Sequence, residues 1–157
     1  MKHREHYITA FLGGLTISLL PTWIVTQLAK KYPSWAPEDL GAVAHFLETS
    51  PWQLQAMFFL AVVVVLPVLE EILFRGVLWS FVEWLASRVV NPEIALQITF
   101  AFISILFAAM HGNVLHAVGL LPLSVFLGWL RLKTDDVGPS VVAHVSNNAM
   151  AVSLMMI

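Results

Sequence analysis

The chain has 157 residues, 59% of them hydrophobic and only 11% charged, where a soluble domain carries about 25% charged residues. With a mean hydropathy of +0.81 it lacks the polar surface to cover a water-soluble globule, so it reads as one integral-membrane domain, residues 1–157. The formal net charge of −2 gives no nucleic-acid footprint, and the absence of Cys excludes disulfides, thiolate metal sites and a Cys nucleophile.

Taken in order, the basic stretch Met1 to His6 leads into an apolar run from about Tyr7 to Ala29. That run is long enough to cross ~30 Å of hydrocarbon. No small-residue cleavage pattern follows it, so it reads as a retained N-terminal anchor helix, kinked at Pro21. Lys30, Lys31 and Tyr32 mark its interfacial end, and an interfacial loop extends over 30–51. Inside this loop, after Pro37, Leu40, Val43, Ala44 and Leu47 recur at helical spacing, which predicts a short amphipathic helix on the membrane surface. Trp35 and Trp52 fit an aromatic belt. Ser50-Pro51-Trp52-Gln53 has the pattern of a capping box with Pro at the first helical position.

The apolar pattern then runs from Trp52 to Arg88, interrupted by Pro67 and a charged turn. It is either one long crossing, tilted or kinked, or two pieces broken near Pro67 or Gly76. Asn91-Pro92 opens a helix that runs to His111, and Gly112-Asn113 stops it. Val114 to Trp129 forms the next span, with a kink at Pro122. Arg131 to Asp136 is a short polar turn, and Gly138-Pro139 opens a last span to Ile157. The expected fold is therefore all-α: a polytopic bundle of five or six membrane helices plus a short surface helix, with its catalytic core in about 52–157. If Trp52 to Arg88 crosses once, Lys2, Arg4, Arg88, Arg131 and Lys133 share one side against Lys30 and Lys31. The positive-inside rule then puts the N-terminus in the cytoplasm.

The polar groups within the apolar runs are the candidates for chemistry. Glu70, Glu71 and Arg75 fall within one and a half helical turns. Each such group in hydrocarbon costs on the order of 2.5–3.5 kcal/mol unless paired or wet. Glu71 and Arg75 are spaced i, i+4 and pair. Glu70 is rotated about 100° from that partner, which leaves it as the better proton acceptor and a general base. A purely structural salt-bridge cluster is the competing reading. His111 shares a helix face with Phe107, and His144 shares one with Asn148. These groups suit either a buried hydrolytic site, with Glu activating water and His and Asn stabilising an oxyanion, or a zinc site on Glu70, His111 and His144. The local His-Glu-x-x-His pattern of zinc peptidases is absent from the chain, so no metal or other cofactor is the favoured expectation. Ser104, Ser124, Ser140 and Ser146 are nucleophiles only beside a base, and there is no Gly-x-Ser-x-Gly. His116 and Glu83 read as interfacial.

Glu70-Glu71-x-x-x-Arg75 followed by Gly76, Phe107-x-x-x-His111 and His144-x-x-x-Asn148 resemble, in this order, the three motifs of the CPBP family, the CAAX proteases and bacteriocin-processing enzymes also called Abi. The resemblance covers about residues 60–150. It implies an intramembrane endopeptidase in which Glu70 activates the attacking water. His111, His144 and Asn148 would line the site and stabilise the oxyanion, with Glu71 and Arg75 in support. Eukaryotic members remove the tripeptide after a prenylated Cys, and bacterial members cut peptide precursors, trim sorting signals or confer bacteriocin immunity. The short chain is similar to a minimal bacterial member of the plasma membrane, acting on a membrane-anchored peptide or protein within the lipid bilayer. The other classes compatible with the same residues are a non-enzymatic bacteriocin-immunity or partner-binding membrane protein and a small ion-coupled transporter.

Overall fold

A computed structural model describes residues 2–32 and 39–155. Trp35, Pro37 and the end of the final span at 156–157 lie outside them. All regular structure among the described residues is helical, as a chain in hydrocarbon requires if its backbone is to satisfy itself. The helices are α1 (Lys2–Thr16), α2 (Leu19–Lys31), α3 (Asp39–Thr49), α4 (Trp52–Ala86), α5 (Pro92–Ala109), α6 (Val114–Thr134) and α7 (Gly138–Met155). Among the described residues, four stretches are long and apolar enough to cross a membrane: Arg4–Lys31, Trp52–Ala86, Pro92–Ala109 and Val114–Thr134. The fifth expected crossing, α7, has 18 residues. Its apolar run is diluted by His144, Asn147 and Asn148, of which His144 and Asn147 are buried in the bundle.

The first span, Arg4–Lys31, is interrupted by a two-residue turn. The break lies at Ile17 and Ser18, one turn before Pro21, because Pro21 has no N–H to give the Ile17 carbonyl and its ring crowds that oxygen. The capping box at Ser50 does not form. Ser50 N–H is committed to Phe46 O at the end of α3, and Pro51 becomes the N-cap of α4 without a side-chain bond. Gln55 closes the corner instead, donating from Nε2 to Leu47 O and Ser50 O at 2.8 Å each.

α4 is continuous over 35 residues. At 1.5 Å per residue that is about 52 Å, well beyond the hydrocarbon thickness, so it crosses once and at a tilt. Pro67 and Gly76 do not break it. They accompany two π-helical stretches, Ala61–Val65 and Ile72–Leu78. Leu66 N–H reaches back to Ala61 O, and Pro67 has no N–H with which to continue the series. The Val62 carbonyl is thereby left open.

α5 starts as its sequence predicts, with Asn91 Oδ1 accepting from Ile94 N–H at 3.0 Å. It stops at Ala109, short of His111, and Gly112 takes the left-handed turn at φ 74°. Asn113 then caps α6, its Oδ1 accepting from Leu115 N–H at 2.9 Å and His116 N–H at 3.1 Å. α6 runs through Arg131 and Lys133 to Thr134, where a polar turn was expected. Arg, Leu and Lys are good helix formers, and the stop is set by Asp135 at φ 52°.

α6 is central and touches α1, α2, α5 and α7. α4 lies on α7 through residues 61–71 and on α5 through residues 72–86. One buried cluster joins α1, α6 and α7 through Ala10, Leu123, Leu127, Leu130 and Ala143. A second joins α4 and α5 through Phe74, Trp79, Ile103 and Phe107. α1 and α7 run parallel, Tyr7 lying against Gly138 and Gly14 against Ala143, as five alternating crossings require. Replacing the α5 cap, Asn91→Ala, is expected to lower stability by about 1 kcal/mol while Asn91→Asp keeps it; thermal unfolding in detergent micelles reads the difference.

Candidate functional site

The site forms where α4, α5, α6 and α7 meet. Glu71 and Arg75 are fully buried there, with Arg75 Nη1 3.0 Å from Glu71 Oε1. A buried ion pair holds only if its remaining hydrogen-bonding capacity is largely met. Arg75 Nη2 donates to Ser124 O at 3.0 Å and to Ser124 Oγ at 2.9 Å. Ser124 Oγ in turn donates to Ser104 O at 2.9 Å, tying α6 to α5. The guanidinium also lies 4.4 Å from the centre of the Phe107 ring, a cation–π contact strengthened by exclusion of water.

His144 extends the chain of contacts. Its Nδ1 is 2.9 Å from Glu71 Oε1. An ionised carboxylate only accepts, so Nδ1 carries the hydrogen. The other ring nitrogen, Nε2, is 3.7 Å from Glu70 Oε2. The two adjacent carboxylates thus differ sharply. Glu71 is sealed in, whereas the Glu70 side chain is 34% exposed. Glu70 can meet a solvent molecule or a substrate, and Glu71 can only position His144.

The other residues of the set lie around this core. Phe107 contacts the His111 ring at 5.0 Å and the His144 ring at 5.5 Å between centroids. His111 follows the end of α5, and its Nδ1 is 2.9 Å from Phe107 O. That carbonyl accepts, so neutral His111 presents Nε2 as an acceptor and becomes a two-sided donor only as imidazolium. Asn148 Nδ2 donates to Val62 O at 3.0 Å, the carbonyl that Pro67 leaves open. One amide hydrogen is committed there and the other remains. His116, five residues after His111, has its ring 5.7 Å from the His111 ring, because His111 has left one helix and His116 begins the next. Glu83 accepts from Trp79 Nε1 at 3.2 Å, one turn away on α4.

Helix depth explains how groups near opposite ends of their sequence runs converge. By residue count, Glu71 lies about 22 Å from the end of α4 at Ala86, and Phe107 lies about 22 Å from the start of α5 at Pro92. The two are therefore level. α7 is staggered against α6, with Ser140 Oγ bonded to Leu127 O at 2.9 Å, so His144 reaches the same layer only six residues into its helix. As for zinc, no three His, Asp or Glu side chains among the described residues are gathered closely enough to hold one ion. His144 Nδ1 bonds to Glu71 and His111 Nδ1 to Phe107 O, which leaves the Nε2 atom of each ring open. As placed among the described residues, Glu70, His111 and His144 are not gathered into one metal-binding group.

Two parts of the site are not signalled by local sequence spacing. Ser124, 49 residues from Arg75, anchors the guanidinium. Arg131, read as part of a turn, donates from Nε to Arg75 O at 3.0 Å.

The all-helical bundle thus buries a Ser–Arg–Glu–His network and leaves the Glu70 carboxylate beside it accessible. The model of the Rce1-like family, type II CAAX prenyl endopeptidases, matches residues 51–150, well over half of the chain, and the chain belongs to this family. At that level it is a CAAX-type intramembrane protease. No curated protein and no solved structure matches it. The matched segment contains Glu70, Glu71, Arg75, His111, His144 and Asn148, and it excludes α1, α2 and α3.

Arg75→Ala is expected to destabilise the fold by about 3–5 kcal/mol, because it strands the buried Glu71 carboxylate. Ser124→Ala is expected to lose about 1–3 kcal/mol. Denaturation of detergent-purified protein monitored by circular dichroism checks both values and their order.

Proposed function

We propose that this chain hydrolyses a peptide bond of a membrane-anchored peptide or protein, with Glu70 as the general base and no resident metal. The observation that carries the reading is the contrast between the accessible Glu70 and the sealed Glu71, joined through the two nitrogens of His144. The gap of 3.7 Å between Glu70 Oε2 and His144 Nε2 is too long for a direct hydrogen bond and short enough for one water to donate to both. Such a water has its lone pairs free for a carbonyl carbon. In the first step Glu70 takes one proton from it as the oxygen bonds to the scissile carbon, and the carbonyl oxygen becomes an oxyanion. In the second step the C–N bond breaks and Glu70 returns the proton to the leaving nitrogen.

The second amide hydrogen of Asn148 is the neutral donor suited to the oxyanion. His111 and His144 both lie against the Phe107 ring, and either donates through Nε2 when it carries a second proton. Glu71 and Arg75 do not touch the substrate in this scheme. They hold His144 by its Nδ1, and Ser124 holds Arg75. The substrate class follows from position, since a base placed midway along a membrane-crossing helix meets chains that are themselves held in the bilayer. The basic-residue count supports a cytoplasmic N-terminus.

Glu70→Gln keeps the shape and removes the base. It is expected to lower cleavage of a co-expressed membrane-anchored substrate by about 10²–10⁴-fold while trapping uncut substrates in native membranes. Cleavage equal to wild type would exclude the assigned role. Chelator treatment of the purified enzyme is expected to leave turnover unchanged, with metal analysis finding far less than one ion per chain; loss of activity restored by added zinc would reverse that part of the proposal.

A further inference from the structure

We infer that the N-terminal helix α1, which lies outside the segment matched by the family, is a positioning element for the site and sets the place of His144 through a backbone contact at Gly14. The consequence for turnover rests on the protease reading above, whereas the geometry does not. A Cβ built on Gly14 would stand 2.2 Å from Ala143 O and 2.9 Å from both Ala143 C and Cα. These are main-chain atoms of α7, which cannot rotate aside as a side chain can. α1 therefore meets α7 backbone to backbone at the residue that precedes His144. Small residues permit this approach between helices in a bilayer, where packing rather than the hydrophobic effect holds them together.

The contact at Gly14 belongs to a continuous face. Ala10, one turn earlier, is fully buried and packs with Ala143, Leu123 and Leu127, and Ile17 joins the same cluster. At the start of α7, Tyr7 Oη occupies the space beside Gly138, 2.4 Å from where a Cβ would be. Tyr7 Oη also donates to Asp136 Oδ2 at 3.4 Å. α1 thus braces α7 from its first residue to His144. On its other side α7 is tied to α4 by the His144–Glu71 and Asn148–Val62 hydrogen bonds. This part of α7, which carries the imidazole, is thus held between α4 and α1.

A methyl at Gly14 needs about 1 Å more room for ordinary van der Waals contact, and a shift of that size at a reacting centre lowers rate on the order of 10²-fold. The test uses the full chain, labelled with 15N-histidine, in phospholipid nanodiscs. In the wild type the His144 Nδ1–H resonance is expected to be downfield and slow to exchange, assigned by its loss in His144→Gln. Gly14→Ala is expected to shift or broaden that resonance, and to lower kcat about 10²-fold with KM little changed. Gly119→Ala is the control, since its Cβ would meet only the Val25 side chain, its Cγ2 at 2.9 Å and its Cβ at 3.9 Å; it should leave resonance and turnover as in wild type. An unchanged His144 resonance in folded Gly14→Ala means that α1 yields instead of α7, and overturns the inference whatever the turnover. Should Gly14→Ala fail to fold by circular dichroism, Ala10→Gly loosens the same face without a clash, and an unchanged resonance there overturns it equally. If the resonance shifts as expected but the wild type cleaves nothing that Glu70→Gln traps, the protease reading fails and the role of α1 stands.

Discussion

The arrangement depends on one guanidinium placed where water cannot reach it. Arg75 bonds Glu71 through Nη1 and Ser124 through Nη2, and stacks on Phe107. A buried charge of this kind is tolerated only if its partners are fixed, because desolvation costs more than any single contact returns. Each partner comes from a different part of the fold: Glu71 from the same helix, Ser124 from α6 and Phe107 from α5. These contacts, which leave Arg75 Nε and Glu71 Oε2 buried without a hydrogen-bond partner, therefore fix the mutual depth of three helices. Glu71, held in this way, fixes His144 on a fourth. The accessible carboxylate, Glu70, inherits its position from this chain of constraints while taking no part in the ion pair.

α4 contributes a second constraint through its irregular backbone. An α-helix in lipid leaves its carbonyls no external role. The two π-helical stretches change this. At the first, Pro67 leaves the Val62 carbonyl without its partner, and Asn148 of α7 takes it. At the second, Trp79 N–H reaches past Arg75 to Phe74 O and Gly76 O, and Arg75 O accepts from Arg131 of α6. Each irregularity thus becomes a bond to a neighbouring helix, on either side of Glu70 and Glu71. π-helical turns are often found at functional sites, and here the reason is visible: they open main-chain acceptors that lock the site helix into the bundle.

The legibility of these features in the sequence followed the range of the interaction. The pairing of Glu71 with Arg75, the Asn91 cap and the shared face of His144 and Asn148 are local, spaced three or four residues apart, and a helical repeat exposes them. The Ser50 capping pattern is equally local but fails, because α3 claims the Ser50 N–H first. The break before Pro21 is displaced by one turn because the steric conflict falls on the preceding carbonyl. Ser124 and Arg131 as partners of Arg75, the stagger that brings His144 level with Phe107, and the approach of Gly14 to Ala143 join residues tens of positions apart. Such contacts have no periodic signature.

The sequence by itself determined an all-helical membrane chain, the order of its spans, and the small set of ionisable groups too costly to bury without purpose, because hydrophobicity and helical spacing are properties of neighbouring residues. Tertiary structure alone decided which of two adjacent glutamates is sealed and which is open. It also decided at what depth His144 meets them and that the N-terminal helix packs against α7 beside it. These outcomes are set by how far one helix slides along another, and that displacement is fixed by contacts between helices, not by anything written within one.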